Sequence, residues 1–241
     1  MTLLSPGAPV QQASGPTCYS QLRNDWFCWD YVTDRREELI DATTQHVTIT
    51  LAALLLAVAV ALPLGLIARR YPRLESAVLG VSTGIYTIPS LALFPLFLPF
   101  TGLSAATVIL GLALYALTIL VRAVLDGLRA VPEDVREAAR GLGHGPTRLL
   151  LGVELPLALP VLMAGLRVAA VSTVALTTVG TLVSYGGLGN LISHGVARDF
   201  RAELLTASVL CVLLALLLDA LIVGAQRLLT PWSRETRGAR P

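Results

Sequence analysis

The sequence predicts an all-α integral membrane protein with five membrane-spanning helices and one long polar loop on the cytoplasmic side. Three observations carry this. Of the 241 residues, 54% are hydrophobic and only 14% charged, with a mean hydropathy of +0.70. The apolar residues come in runs of about 20, the length a helix needs to cross a hydrocarbon core at about 1.5 Å per residue. The runs are continuous rather than alternating, which argues against a β-barrel, the other structure that satisfies its own backbone in lipid.

Taken in order, residues 1–33 form an extracytoplasmic segment, rich in Pro, Gly, Ser and Gln and then aromatic in "NDWFCWDY". Its Trp and Tyr suit the headgroup zone. Residues 1–20 lack a basic start and an apolar centre, so no signal peptide is expected. Residues 34–46 read as an amphipathic helix along the membrane surface. The spans follow at 47–68, 75–98, 104–125, 157–183 and 203–226, so 47–226 is the transmembrane domain, and 227–241 is a tail. Pro89 and Pro95 kink the second span.

The loop 126–156 divides into two short helices. "VPEDVREAARGLG" has Pro132 in its first turn, and Glu133 and Asp134 there complement the helix dipole. Gly141 and Gly143 end it. "GPTRLLLGVELP" starts a second helix at Pro146, and Pro156 and Pro160 then open the fourth span. Such a pair makes a stiff knob able to fit a cleft on a partner.

Arginine placement sets the orientation. With the N-terminus outside and the C-terminus inside, twelve arginines face the cytoplasm: Arg69, Arg70, Arg73, Arg122, Arg129, Arg136, Arg140, Arg148, Arg227, Arg234, Arg237 and Arg240. Five face outward: Arg23, Arg35, Arg36, Arg198 and Arg201. The imbalance follows the positive-inside rule and predicts a multi-pass cell-membrane protein. Cys18 and Cys28 then face an oxidising compartment, where both a disulfide and two free thiols remain open.

All eighteen basic residues are arginine. Without lysine there is no G-x-x-x-x-G-K phosphate loop, so the chain does not hydrolyse ATP by that route. Arg167 in the fourth span either snorkels to the surface or pairs with Glu154, and Asp219 in the fifth is read as a partner for an arginine. Neither has an evident charged partner deep in the bilayer. His46, His144 and His194 have neither metal nor catalytic spacing and read as interfacial or solvated. No metal, cofactor or nucleic-acid site is expected in this chain.

One motif decides among the functional classes. Glu137, Ala138 and Ala139 are followed after three residues by Gly143, after nine more by Val153, and then by Leu155 and Pro156. This spacing resembles the E-A-A signature of permease subunits of ABC importers, with Val153 where isoleucine is commonest. "GIYTIPSLALFPLFLPFTGLS" and "VSYGGLGNLISHGV" resemble the permeases of glycine betaine, carnitine, choline and proline importers over about residues 47–226. Methionine permeases are similar too. The resemblance implies the type I ABC importer permease fold, with the loop as a coupling helix docked in a groove of a separate ATPase. It implies two ATPase subunits holding ATP and Mg, a second permease copy or paralogue, and an extracytoplasmic solute-binding protein. "GGLGNLISHGVARDFR" reads as an outer loop with a short re-entrant helix, placed to touch that binding protein.

Candidate residues lining the solute path are Tyr86, Pro89, Ser90, Tyr115, Thr118, Ser172, Thr173, Thr177 and Thr178. Their hydroxyls suit a passing solute, and tyrosine faces attract quaternary ammonium. The same small and hydroxyl residues equally serve helix packing. An ion-coupled secondary transporter would show midspan charges and repeated halves with broken helices. No internal repeat is visible, and no G-x-S-x-G nucleophile suggests an intramembrane protease.

Overall fold

The computed structural model describes residues 17–232, and these are helical with short connections. Residues 233–241, which hold Arg234, Arg237 and Arg240 of the expected tail, and residues 1–16 lie outside the described residues. Helix α1 spans Trp29–Asp34 and α2 spans Arg36–Arg70. Then come α3 (Pro72–Thr87), α4 (Ser90–Thr101) and α5 (Ala105–Arg129). Helices α6 (Glu133–Gly141) and α7 (Pro146–Leu149) precede a π-helical turn, Leu150–Glu154, that leads into α8 (Leu155–Thr177). A 3-10 turn, Thr178–Val183, then α9 (Leu188–Ala197) and α10 (Arg201–Leu229) complete the chain.

Among the described residues, four stretches are long and apolar enough to cross a membrane, and a fifth if the bent pair α3–α4 counts as one span. Three departures from expectation have physical causes. The surface helix expected at 34–46 and the first span form one helix, α2. No Gly or Pro interrupts residues 36–62, and the Thr43 and Thr48 hydroxyls bond carbonyls four residues back. At about 1.5 Å per residue this helix is about 52 Å long, more than a hydrocarbon core needs.

The second span is broken, not kinked. Helices α3 and α4 meet at 101° across Ile88–Pro89, while Pro95 stays inside α4. Ile88 is extended, as a residue before proline prefers. The Tyr115 hydroxyl of α5 donates to the Ile88 carbonyl that the break leaves without a helical partner.

The second short helix of the loop is the foot of the fourth span: Pro146–Val183 runs on as one stretch. Proline at 156 cannot donate to the Gly152 carbonyl and its ring crowds that turn. The π-helical turn ending at Glu154 shifts the hydrogen-bond pattern there.

Helices α2, α5 and α8 form the centre. Ala53, Ala57, Ala61 and Ala68 of α2 meet Val108, Leu112, Ala116 and Val121 of α5 and Ala169 and Ala170 of α8, each at most 1% exposed. Small residues let the backbones approach closely. Helix α10 packs on α8 and α9, leaving Leu213, Leu216, Leu217 and Leu221 more than half exposed, as a lipid-facing stripe would be.

Residues 17–28 form a cap, closed by a Cys18–Cys28 disulfide. Tyr19 and Tyr31 pack with Phe200, and Asn24 accepts from the Arg201 backbone N–H and donates to the Asp199 carbonyl. The cap thus sits on the α9–α10 turn. Trp26, Phe27 and Trp29 remain exposed on it.

Candidate functional site

The E-A-A segment is a short helix, tightly ended and fixed to the bundle at one point. Helix α6 begins after Pro132, with Glu133 and Asp134 in its first turn. Arg136 and Arg140 both hydrogen-bond Glu133 and hold its carboxyl below the usual carboxylate range. At the other end the His144 N–H bonds the Ala139 carbonyl and the Gly143 N–H bonds that of Arg140. This is a Schellman ending, and Gly143 adopts the φ of +84° that it demands.

The segment from α6 through α7 has two faces. Ala139 and Leu149 are buried against the bundle, each 7% exposed. Glu137, Ala138, Gly143 and Arg148 are exposed, and Leu142 is 81% exposed. Among the described residues Glu137 forms no ion pair. Of the later motif positions, Val153, Leu155 and Pro156 are half-buried in the turn that starts α8.

The residue between Val153 and Leu155 anchors the segment. Glu154 is 2% exposed and its carboxylate accepts from both terminal nitrogens of Arg69, at the end of α2. Arg136 of α6 approaches the same carboxylate, Nε to Oε1 at 3.0 Å, and also donates to the Leu128 carbonyl at the end of α5. One buried carboxylate therefore joins α2, α6 and the root of α8. Sequence reading missed this because Arg69 lies 85 residues away; the one local signal was an acid set inside an apolar, proline-flanked run. It also corrects the alternative pairing of Arg167. Arg167 instead forms a two-bond pair with Asp219, at 2.7 and 2.9 Å, so each is the other's intramembrane partner.

The expected path residues separate into two places. Tyr86, Tyr115 and Thr118 come together where α3 crosses α5, with the tyrosine rings edge to face at 5.8 Å. Tyr86 is 57% exposed, whereas Tyr115 and Thr118 are buried and bond to backbone carbonyls. Pro89 and Ser90 lie at the adjoining break, exposed and half-buried. Thr177 is enclosed between α2 and α8, its hydroxyl 3.0 Å from that of Thr50, with Thr173 buried one turn earlier. Ser172 and Thr178 are half-buried on α8 and at its end.

His46 corrects the reading of the histidines. It is fully buried, with Nε2 3.1 Å from the Val174 carbonyl oxygen. Gly187, at φ +55°, turns the chain against it: a Cβ there would lie 2.6 Å from His46 Cβ. His194 pairs with the buried Glu203 at 2.9 Å, and His144 is half-buried. The short helix expected after the double glycine is α9, packed on α10.

Residues 61–235 match the family model described as "Binding-protein-dependent transport system inner membrane component". The chain belongs to this family. The permease is 34% identical over 209 residues to the carnitine transport permease protein OpuCB of Listeria monocytogenes, covering 86% of this chain and 95% of the relative. It is 34% identical over 194 residues to the choline transport system permease protein OpuBB of Bacillus subtilis, covering 80% and 89%. It is 37% identical over 188 residues to the glycine betaine/carnitine/choline permease protein OpuCD of the same species, covering 78% and 82%. Its fold matches a chain of the inward-facing MetNI methionine ABC transporter with TM-score 0.71 at 23% identity, over 82% of this permease and 98% of that chain. The protein is thus a multi-pass membrane permease subunit of a binding-protein-dependent ABC importer, working with an ATPase and a solute-binding protein. It is a transport subunit and not itself the enzyme.

Proposed function

We propose that this permease imports quaternary ammonium osmoprotectants, of the class of glycine betaine, carnitine and choline. The observation that carries the reading is the set of relatives named for these solutes, aligned over about four-fifths of the chain or more. The exposed Tyr86 ring beside hydroxyl groups is chemically apt for a quaternary ammonium.

In this reading the N-terminal cap and the α9–α10 turn face outward and meet the solute-binding protein. The α6 face bearing Glu137, Ala138 and Gly143, with Val153, Leu155 and Pro156 at its root, docks on the ATPase in the cytoplasm. Two ATPase subunits hold ATP and Mg, and two permeases, identical or paralogous, enclose the path. The small side chain of exposed Ala138 allows close approach, and Glu137 offers a charge-assisted hydrogen bond. Movement at α6 reaches α2 and α8 through the Glu154 carboxylate.

The test is uptake of labelled glycine betaine into proteoliposomes holding the permease with its ATPase and binding protein. Unlabelled choline, carnitine, proline and methionine serve as competitors. Competition by carnitine or choline but not methionine is the expected result. Inert betaine with carried methionine overturns the solute and leaves the permease.

A further inference from the structure

Arg122, expected on the cytoplasmic side, instead lies within the membrane-crossing helix α5, seven residues before its end, as a cation with no ion pair there among the described residues. Arg129 and Glu75 pair where α5 ends and α3 begins. Arg122 precedes Arg129 by seven residues and Thr83 follows Glu75 by eight, so both lie about 10 Å deeper along the same pair of antiparallel helices. There Arg122 Nη2 donates to Thr83 Oγ1 at 3.2 Å. The side chain is exposed, and no carboxylate lies within ion-pair reach among the described residues. It reaches a deeper hydroxyl and not the acid at the helix end.

Its surroundings carry hydroxyl groups, unlike the apolar cavities along α2 and α5. Arg122 lines a cavity of about 270 Å³ with Ser82, Thr83, Tyr86, Thr118 and Ile119. A charged, hydroxyl-lined face does not rest against acyl chains; ionisable groups in spans face the protein interior or a water-filled passage. The leucine stripe of α10 is the contrasting, lipid-compatible face.

We infer that Arg122 is a specificity-determining residue of the solute path, taking the carboxylate of a zwitterion whose quaternary ammonium rests on Tyr86. The inference depends on the osmoprotectant reading above. The guanidinium offers five donors in a planar fork that fits a carboxylate, and the bond to Thr83 uses one. Tyr86 lies three residues beyond Thr83 on α3, so the anionic and aromatic positions are roughly 5 Å apart along the helix. That span suits the few bonds between ammonium and carboxylate in glycine betaine or carnitine. Choline carries the ammonium without the carboxylate and meets only like charge at Arg122.

The experiment measures initial rates of ATP-driven uptake of glycine betaine and of choline by the complete importer, with wild type, Arg122→Gln and Arg122→Lys. Gln is expected to lower the betaine rate about tenfold, the scale of a lost charge-assisted bond, with choline equal to or above wild type because the like charge is gone. Lys keeps the charge but not the planar fork, so its betaine-to-choline ratio is expected to lie between those of wild type and Gln. The ATPase rate of each complex stays at the wild-type level, which separates lost selection from lost assembly. An unchanged ratio in Arg122→Gln, an equal fall in both solutes and in ATPase rate, or a Lys variant that falls with Gln overturns the inference alone. Wild type that carries neither solute overturns the osmoprotectant reading and this inference together.

Discussion

The carboxylate of Glu154 and the guanidinium of Arg69 form a two-bond pair across 85 residues, at 2.5 Å for each bond. Arg136 completes the group from α6. Glu154 is the most enclosed of the three, so removing it strands Arg69 and takes from Arg136, 14% exposed, the more buried of its two carboxylate partners. Glu154→Leu is expected to destabilise the permease by about 3 kcal/mol, read as a fall in the melting transition in detergent. Replacing all three, with Arg69→Met and Arg136→Met added, is expected to cost less than Glu154→Leu alone. A triple variant weaker than the single one contradicts the stranded-charge account.

The disulfide gives a test of topology as well as of the cap. Cys18 and Cys28 close a short loop, for which the chain-entropy model gives about 2–3 kcal/mol. In samples denatured without reduction a thiol-reactive polymer is expected to add once, at Cys211, the free cysteine. After reduction and denaturation it adds three times. Three additions without reduction contradict both the bond and an oxidising location for the cap.

Gly187 tests the packing of the segment after α8. Its positive φ and the 2.6 Å approach to His46 leave no room for a side chain. Gly187→Val is expected to cost more than about 2 kcal/mol in the same melting assay. An unchanged transition means that the His46 contact is not as described.

The Arg167–Asp219 pair joins α8 to α10, as the His194–Glu203 pair joins α9 to the start of the same helix. Asp219→Ala is expected to lower the melting temperature, and the exchange Arg167→Asp with Asp219→Arg to recover part of the loss. An exchange no better than either single variant shows that the charges act separately.

Much of this architecture was legible because it depends on local signals. Run length marked the spans, and Gly143 at its spacing from Ala139 marked the end of α6. Pro89 marked a break but not its size, because the 101° turn depends on Tyr115 supplying a donor to Ile88. The merging of 34–46 into α2 was readable in principle, since nothing between Arg36 and Pro63 stops a helix. Pairings at long separation were not readable. Sequence offered several arginines for Glu154 and for Asp219, and only packing selected Arg69 with Arg136 in one case and Arg167 in the other. His46 looked interfacial because its neighbours are polar; burial comes from Val174 and Gly187, over 120 residues on.

The most direct test of the account is ATP-driven uptake by the complete importer with Glu137→Arg and Ala138→Trp together, beside wild type. Both positions are exposed and neither takes part in the Glu154 cluster. The account predicts a permease that melts like wild type, yet takes up solute at less than about one-tenth the rate, a loss of roughly 1.4 kcal/mol or more in coupling. Wild-type uptake by this variant, or uptake by the wild-type permease without its ATPase, contradicts the claim that α6 carries the coupling.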